Sequence, residues 1–355
     1  MAGAAEREVC GFGSLHKAME KCRRGVGWKD SVSRYTNNGL ASIFRLRLQL
    51  INGTYAIDPY FSFIIHEPKR REIVSTKFKD RVFQRSLCDN YLYGEISRQF
   101  IYDNAACQLG RGTDFARNRL KAHLQKYYRK HGSDGYVLKI DFRNYFGSTP
   151  HATAKKALRK AVRDDWAYGC ACTIVDTYGS PESPDVGLGL GSQITQLVQL
   201  LVLSGLDHRM KECMGVRHYV RYMDDIIILH HDKGYLARCL DAVEGEAEAL
   251  GLTLNRRKTG VFRISQGIPF LGFRHTLTDT GKVVSILLKK NVARRKRKLK
   301  KYAILTAEGR MTKDKADQCY RSWKAHAGKG DTGKVLRVMD SYRRGLWEEL
   351  ACSNF

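Results

Sequence analysis

Residues His218 to Leu229 constrain the fold of this chain more than any other stretch. Apolar and aromatic residues run through Tyr219, Val220, Tyr222 and Met223 to two adjacent acids, Asp224 and Asp225. The apolar run Ile226-Ile227-Ile228-Leu229 leads away from them. Two β-propensity runs around a short polar break predict a hairpin with both acids in its tight turn. Neighbouring carboxylates repel, so a turn presenting both calls for a cation, and a divalent metal is the simplest candidate. Aspartate also favours turns for purely local reasons. The pair alone does not separate the two readings, and the rest of the chain has to.

The chain has 355 residues and a formal net charge of +26, with a pI near 9.7. It is long enough for a large core and two or three subdomains. So strong a positive imbalance opposes compaction unless a polyanion shares the surface, which points to nucleic acid. An anionic membrane is the rival partner, but the longest apolar run, 197–203, is interrupted by Gln199 and is far too short to span a bilayer. Residues 1–10 carry Glu6 and Glu8 and no apolar core of a secretory signal. Ten cysteines are scattered, and their one close pair, Cys170 and Cys172, has no second pair at metal spacing. Reduced thiols of a cytoplasmic protein fit better than a disulfide framework or a zinc site. Six prolines and no low-complexity tract predict a compact, ordered protein.

Along the chain, residues 14–50 read as helical, with Leu40, Ile43, Phe44, Leu46 and Leu48 at helical spacing. Residues 60–65 and the segment after the basic turn 67–73 read as two strands, and Lys69 and Arg71 place cations at that hairpin. A helix is expected over 80–93 with Asp80 as its N-cap. The loop 107–114 carries Arg111 just before a helix over 115–128, where an anion could be held. The run 136–140 ends abruptly at Asp141, and Phe142, Tyr145 and Phe146 follow. A carboxylate closing a buried strand is poorly placed unless something cationic meets it, or unless it caps the next helix.

One helix is expected over 152–168. Gly187, Gly189 and Gly191 then alternate before Ser192, Gln193 and a leucine-rich helix, a pattern that lets backbone approach a ligand closely. Residues 235–250 read as an amphipathic helix, 251–259 as a turn carrying Lys258, and 269–273 as one short strand. The segment 287–302 carries Lys289, Lys290, Arg294, Arg295, Lys296, Arg297, Lys298, Lys300 and Lys301 with no acid, which favours contact with backbone phosphates over a merely solvated face. Residues 328–334 match the first seven positions of a phosphate loop. Val335 replaces the magnesium-binding hydroxyl, and a helix is expected before the loop, so no nucleotide site is assigned there.

Carboxylates on two strand ends, a basic hairpin, a glycine loop and a basic C-terminal helix together point to phosphoryl transfer by two metals about 3.5–4 Å apart. In this order, Asp141 to Phe146, Gly191-Ser192-Gln193, Tyr222-Met223-Asp224-Asp225, Gly251 to Thr259 and Phe270-Leu271-Gly272-Phe273 resemble the motifs of prokaryotic reverse transcriptases over about residues 55–345. The resemblance implies an α+β right-hand polymerase: an N-terminal helical segment 1–50, fingers 51–134, a palm with an antiparallel sheet over 135–285, and a helical thumb 286–355. It implies RNA-directed DNA synthesis with two Mg²⁺ ions. Asp141 and Asp224 would bridge the ions, Asp225 would support them, and Lys258 would protonate the departing pyrophosphate. Phe146 would be the steric gate for deoxynucleotides and Gln193 would lie against nucleotide and template. Lys69, Arg71 and Arg111 would meet the triphosphate. Lys289, Lys290, Arg294, Arg295, Arg297 and Lys298 would hold RNA/DNA hybrid.

Ser192-Gln193, where other branches carry Pro-Gln-Gly, is similar to enzymes of diversity-generating retroelements, as are Leu206-Asp207-His208 and Ser322 to His326. Ile194, Gln196 and Val198 depart from that branch's small or polar residues. That branch implies a structured template RNA, a small basic helical accessory protein and a bacterial or phage-encoded cytoplasmic enzyme. An antiphage defence reverse transcriptase using its own non-coding RNA is the alternative. A catalytically dead RNA-binding scaffold is the third reading, disfavoured by the intact acids. No further nuclease or integrase domain is expected.

Overall fold

The structure, a computed structural model, describes residues 3–66, 70–180 and 182–353, with backbone alone for 350–353. It opens on helices Ala4–Val9, Phe12–Arg23, Asp30–Asn37 and Gly39–Ile51. The last buries Ile43, Leu46 and Leu50. Leu40, Phe44 and Leu48, expected on the same apolar face, are exposed instead. Their four-residue spacing forms a second stripe on a different side of the helix from the buried one, because each residue turns the helix by about 100°.

Strands β1 (Phe61–Ile65) and β2 (Arg71–Ser75) pair antiparallel with Phe63 opposite Ile73. A four-stranded sheet follows from β3 (Tyr136–Ile140), β4 (His218–Tyr222), β5 (Asp225–His230) and β6 (Gly260–Arg263), in the order β4-β5-β3-β6. In β5, Ile226 to Leu229 are all buried, as a continuous apolar run requires of an interior strand. A three-stranded antiparallel sheet is built from β7 (Ile268–Phe270), β8 (Phe273–Leu277) and β9 (Val283–Leu287).

Two compact units account for the chain: residues 1–116, 139–227 and 237–260 form one, and 117–138, 228–236 and 261–355 the other. In the first, the leucine-rich helix Gln193–Val202 buries Leu197, Val198 and Leu200 and packs on the helix His151–Ala161. In the second, helices Lys289–Ala307, Lys313–Ala327 and Gly333–Ser353 enclose Leu299, Tyr320 and Met339, with Trp323 packed alongside.

Three local expectations are corrected. Residues 152–168 are two helices, His151–Ala161 and Asp165–Asp176, because Asp164 caps the second by accepting from Ala167 N at 2.9 Å. Asp80 is not an N-cap. It lies buried inside the helix Phe78–Leu87, where its carboxylate accepts from Tyr55 Oη at 2.7 Å and Asp58 N at 3.2 Å. The single strand expected over 269–273 is a hairpin, because Leu271 (φ +45°) and Gly272 (φ +91°) turn the chain. Residues 328–332 connect two helices, in keeping with the rejected nucleotide loop.

Candidate active site

Asp141 follows β3 directly and is held from several sides by the turn 255–259. Its carbonyl accepts from Asn255 N at 2.7 Å. Its carboxylate accepts from Asn255 Nδ2 at 2.9 Å and from Lys258 Nζ at 2.6 Å on each oxygen. Arg143 N donates to Thr253 O at 2.8 Å, so backbone pairing fixes the whole turn on the acidic segment. Capping of a helix by Asp141 is thereby excluded: the next short helix, Tyr145–Ser148, starts after Asn144, which sits in left-handed backbone.

Asp224 occupies the turn between β4 and β5 with Met223, whose φ of +56° is unusual for a side chain of that size. Asp225 is the first residue of β5, not a turn residue. It faces Lys139 of β3 at 3.2 Å. Burial pushes the Asp225 carboxyl up to about 6 against the opposing pull of Lys139, and Asp224 and Asp141 raise it further. Burial also raises Asp224, and the charge of Asp141 adds to it while Lys258 and Arg71 oppose. Asp141, Asp224, Lys258 and Arg71 therefore share one electrostatic neighbourhood, although the two acids lie some eighty residues apart in sequence.

Among the described residues Asp224 is in no ion pair, and no three acids, histidines or cysteines enclose an ion by themselves. A carboxylate pair in which the charge of Asp141 adds to the rise of Asp224 suits Mg²⁺, a hard cation usually held by one or two carboxylates, water and substrate phosphates.

Phe146 is half-buried beside Tyr145, and its carbonyl accepts from Leu188 N at 2.7 Å, which seats it against the glycine loop. Gly189 is required there because a Cβ would meet the Tyr178 ring at 1.9 Å. Ser192 caps the following helix by accepting from Ile194 N and donates to Gln84 Oε1 at 2.9 Å, leaving Gln193 half-exposed as its first residue. Arg71 opens β2, exposed and close enough to lower Asp224. Lys69 lies outside the described residues.

Arg111 is tied to its own loop. Its Nη1 donates to the carbonyls of Ile101, Tyr102 and Asn104 at 2.8–3.3 Å, and its plane lies by Tyr102 and Phe115. In the basic helix, Lys289, Lys290 and Arg297 are exposed and Arg294 and Lys298 half-exposed. The Arg295 guanidinium lies over the Trp323 ring at 5.3 Å.

Asn255 and Lys139, neither singled out by a sequence motif, both pair with the acids of the site. The lone lysine in the apolar strand 136–140 was the available signal, because a charge on a buried strand must find a partner.

A family described as reverse transcriptase (RNA-dependent DNA polymerase) matches residues 67–275, more than half of the chain. The chain belongs to that family. A search of curated proteins finds no match. Solved structures that resemble it include apo telomerase from Candida tropicalis truncated from its C-terminal domain, at 12% identity and a TM-score of 0.47, covering 65% of this chain and 56% of that one. Telomerase from Candida albicans, in complex with a fragment of telomeric RNA, is 10% identical with a TM-score of 0.48, covering 74% and 55%. The chain thus spans little more than half the length of these telomerases. Among the described residues no helix is long and apolar enough to cross a membrane.

Proposed function

We propose that this protein copies RNA into DNA by nucleotidyl transfer, with Asp141 and Asp224 holding two Mg²⁺ ions. The observation that carries the reading is the shared field of Asp141, directly after β3, and Asp224, in the turn between β4 and β5, where the charge of Asp141 adds to the rise of the Asp224 carboxyl. When bound, the ions would activate the attacking hydroxyl and steady the leaving oxygen. Asp225, turned to Lys139, fixes the base of the hairpin as a supporting carboxylate. Lys258 brings an ammonium to the same place and serves as proton donor to the leaving pyrophosphate. Phe146, tied to the glycine loop, excludes a ribose 2′-hydroxyl, and Gln193 and Arg71 meet nucleotide and phosphate. Fingers, palm and thumb take the spans 51–134, 135–285 and 286–355.

The same proposal takes structured template RNA, RNA/DNA hybrid and deoxynucleotides as partners, held in part by Lys289, Lys290, Arg294, Arg297 and Lys298. Ser192-Gln193 favours the diversity-generating retroelement branch, with its small basic helical accessory protein, over a defence enzyme. A bacterial or phage-encoded enzyme of the cytoplasm goes with that branch. Asp224→Ala should abolish Mg²⁺-dependent dNTP incorporation on primed RNA while RNA binding stays within about threefold. Retained synthesis would remove the metal assignment.

A further inference from the structure

Beneath the acidic turn lies an ion pair with no access to water. Arg221, on β4, and Asp207, in the short helix Ser204–His208, are both 0% exposed. The guanidinium donates to Asp207 from Nε to Oδ1 at 2.7 Å and from Nη2 to Oδ2 at 2.5 Å. Tyr219 Oη donates to the same Oδ1 at 2.6 Å. A buried pair of this kind is a poor source of stability, because the cost of removing two charges from water offsets most of their attraction. Its geometry shows another use.

The guanidinium has donors left after pairing, and they reach two backbone carbonyls: Leu200 O from Nη2 at 3.0 Å and Met223 O from Nη1 at 3.0 Å. Met223 is the left-handed residue directly before Asp224, and non-glycine residues hold that backbone only where their surroundings impose it. The Arg221 backbone is itself fixed, accepting from Ala105 N at 2.9 Å and donating to Asp103 O at 3.0 Å. A chain of rigid contacts therefore runs from a buried carboxylate to the peptide that aims the metal-binding acid.

We propose that Arg221, oriented by Asp207, is a positioning residue that clamps the Met223 carbonyl and so fixes the direction in which Asp224 presents its carboxylate. The proposal rests on the polymerase reading above. Only a planar fork with donors on three nitrogens can grip a carboxylate and two carbonyls together. Lysine at 221 keeps the charge for Asp207 and loses the reach to the turn.

Arg221→Lys in the full chain is the test. The expected result is a folded protein whose kcat for dNTP incorporation falls at least tenfold, with KM for dNTP within about twofold. Its affinity for Mn²⁺, followed by electron paramagnetic resonance in the absence of nucleotide, should fall at least threefold. A folded Arg221→Lys protein with kcat and Mn²⁺ affinity within twofold of the parent overturns the clamp. If that variant does not fold, Tyr219→Phe, which removes one bond to Asp207, replaces it. A lower kcat at unchanged KM then supports the clamp, and an unchanged kcat overturns it. A parent protein that incorporates no dNTP sinks the polymerase reading instead, and the clamp is then decided by Mn²⁺ affinity alone.

Discussion

Lys258 Nζ lies 2.6 Å from both carboxylate oxygens of Asp141, bridging a strand end and a turn 117 residues further along the chain. Asp141 is largely buried while the lysine is half-exposed, so the ammonium reaches the acid from the solvent side. In the proposed mechanism the same cation neutralises and protonates a leaving phosphate. Lys258→Met should lower single-turnover nucleotide incorporation by about 10²-fold, in the range of one general acid. Rapid-quench measurement checks it, and Lys258→Arg, which keeps charge without an easily released proton, should remain nearly as slow. An arginine variant at full rate would reduce Lys258 to a counter-ion.

The glycine loop leaves no room for a side chain at one further point. Gly191 has φ +129°, and a Cβ there would lie 2.9 Å from the Val74 carbonyl oxygen. Gly191→Ala should destabilise the fold by about 1–3 kcal/mol, the cost of forcing such backbone. The loop should also shift away from β2 and raise KM for dNTP severalfold. Thermal melting and steady-state kinetics read the two effects separately.

His275 on β8 is 2% exposed and bonded through Nδ1 to Ser285 Oγ at 2.8 Å. Burial pushes its imidazole down from 6.5 to about 4; a carbonyl at Phe270 opposes, and the charges of Arg117 and Lys121 add to the fall. The unfolded chain then binds the proton more readily than the folded one. The stability contributed by neutral His275 is complete above pH 6.5 and is lost as pH falls towards 4, by up to about 3 kcal/mol. Urea unfolding at pH 7.5 and 5.0 should show a smaller acid loss in His275→Gln than in the parent. Equal losses would discount the histidine.

Of the basic helix Lys289–Ala307, Lys289, Lys290 and Arg297 are the candidate cations that stand exposed. Changing all three to alanine should weaken binding to RNA/DNA hybrid without regard to sequence. The slope of log affinity against log salt should drop by up to about 3, roughly one per phosphate contact. Arg295→Ala should instead lower thermal stability with little change in that slope, because its guanidinium rests on Trp323.

The sequence by itself determined the local pieces. A continuous apolar run dictated the interior strand β5, a strand ending in an acid dictated the place of Asp141, and alternating glycines dictated a loop that backbone must approach closely. Each is a matter of neighbours within a few residues, where spacing and backbone preference decide. Only the tertiary structure decided partners. Lys139 went to Asp225, Asn255 and Lys258 to Asp141, and Arg221 to Asp207, while Arg111 turned onto its own loop and Arg295 onto an aromatic ring. Arginines and lysines carry the same charge wherever they stand in the chain. Which of them meets an acid, a carbonyl or the solvent is set by the long-range pairing of strands and turns, and no local spacing encodes it.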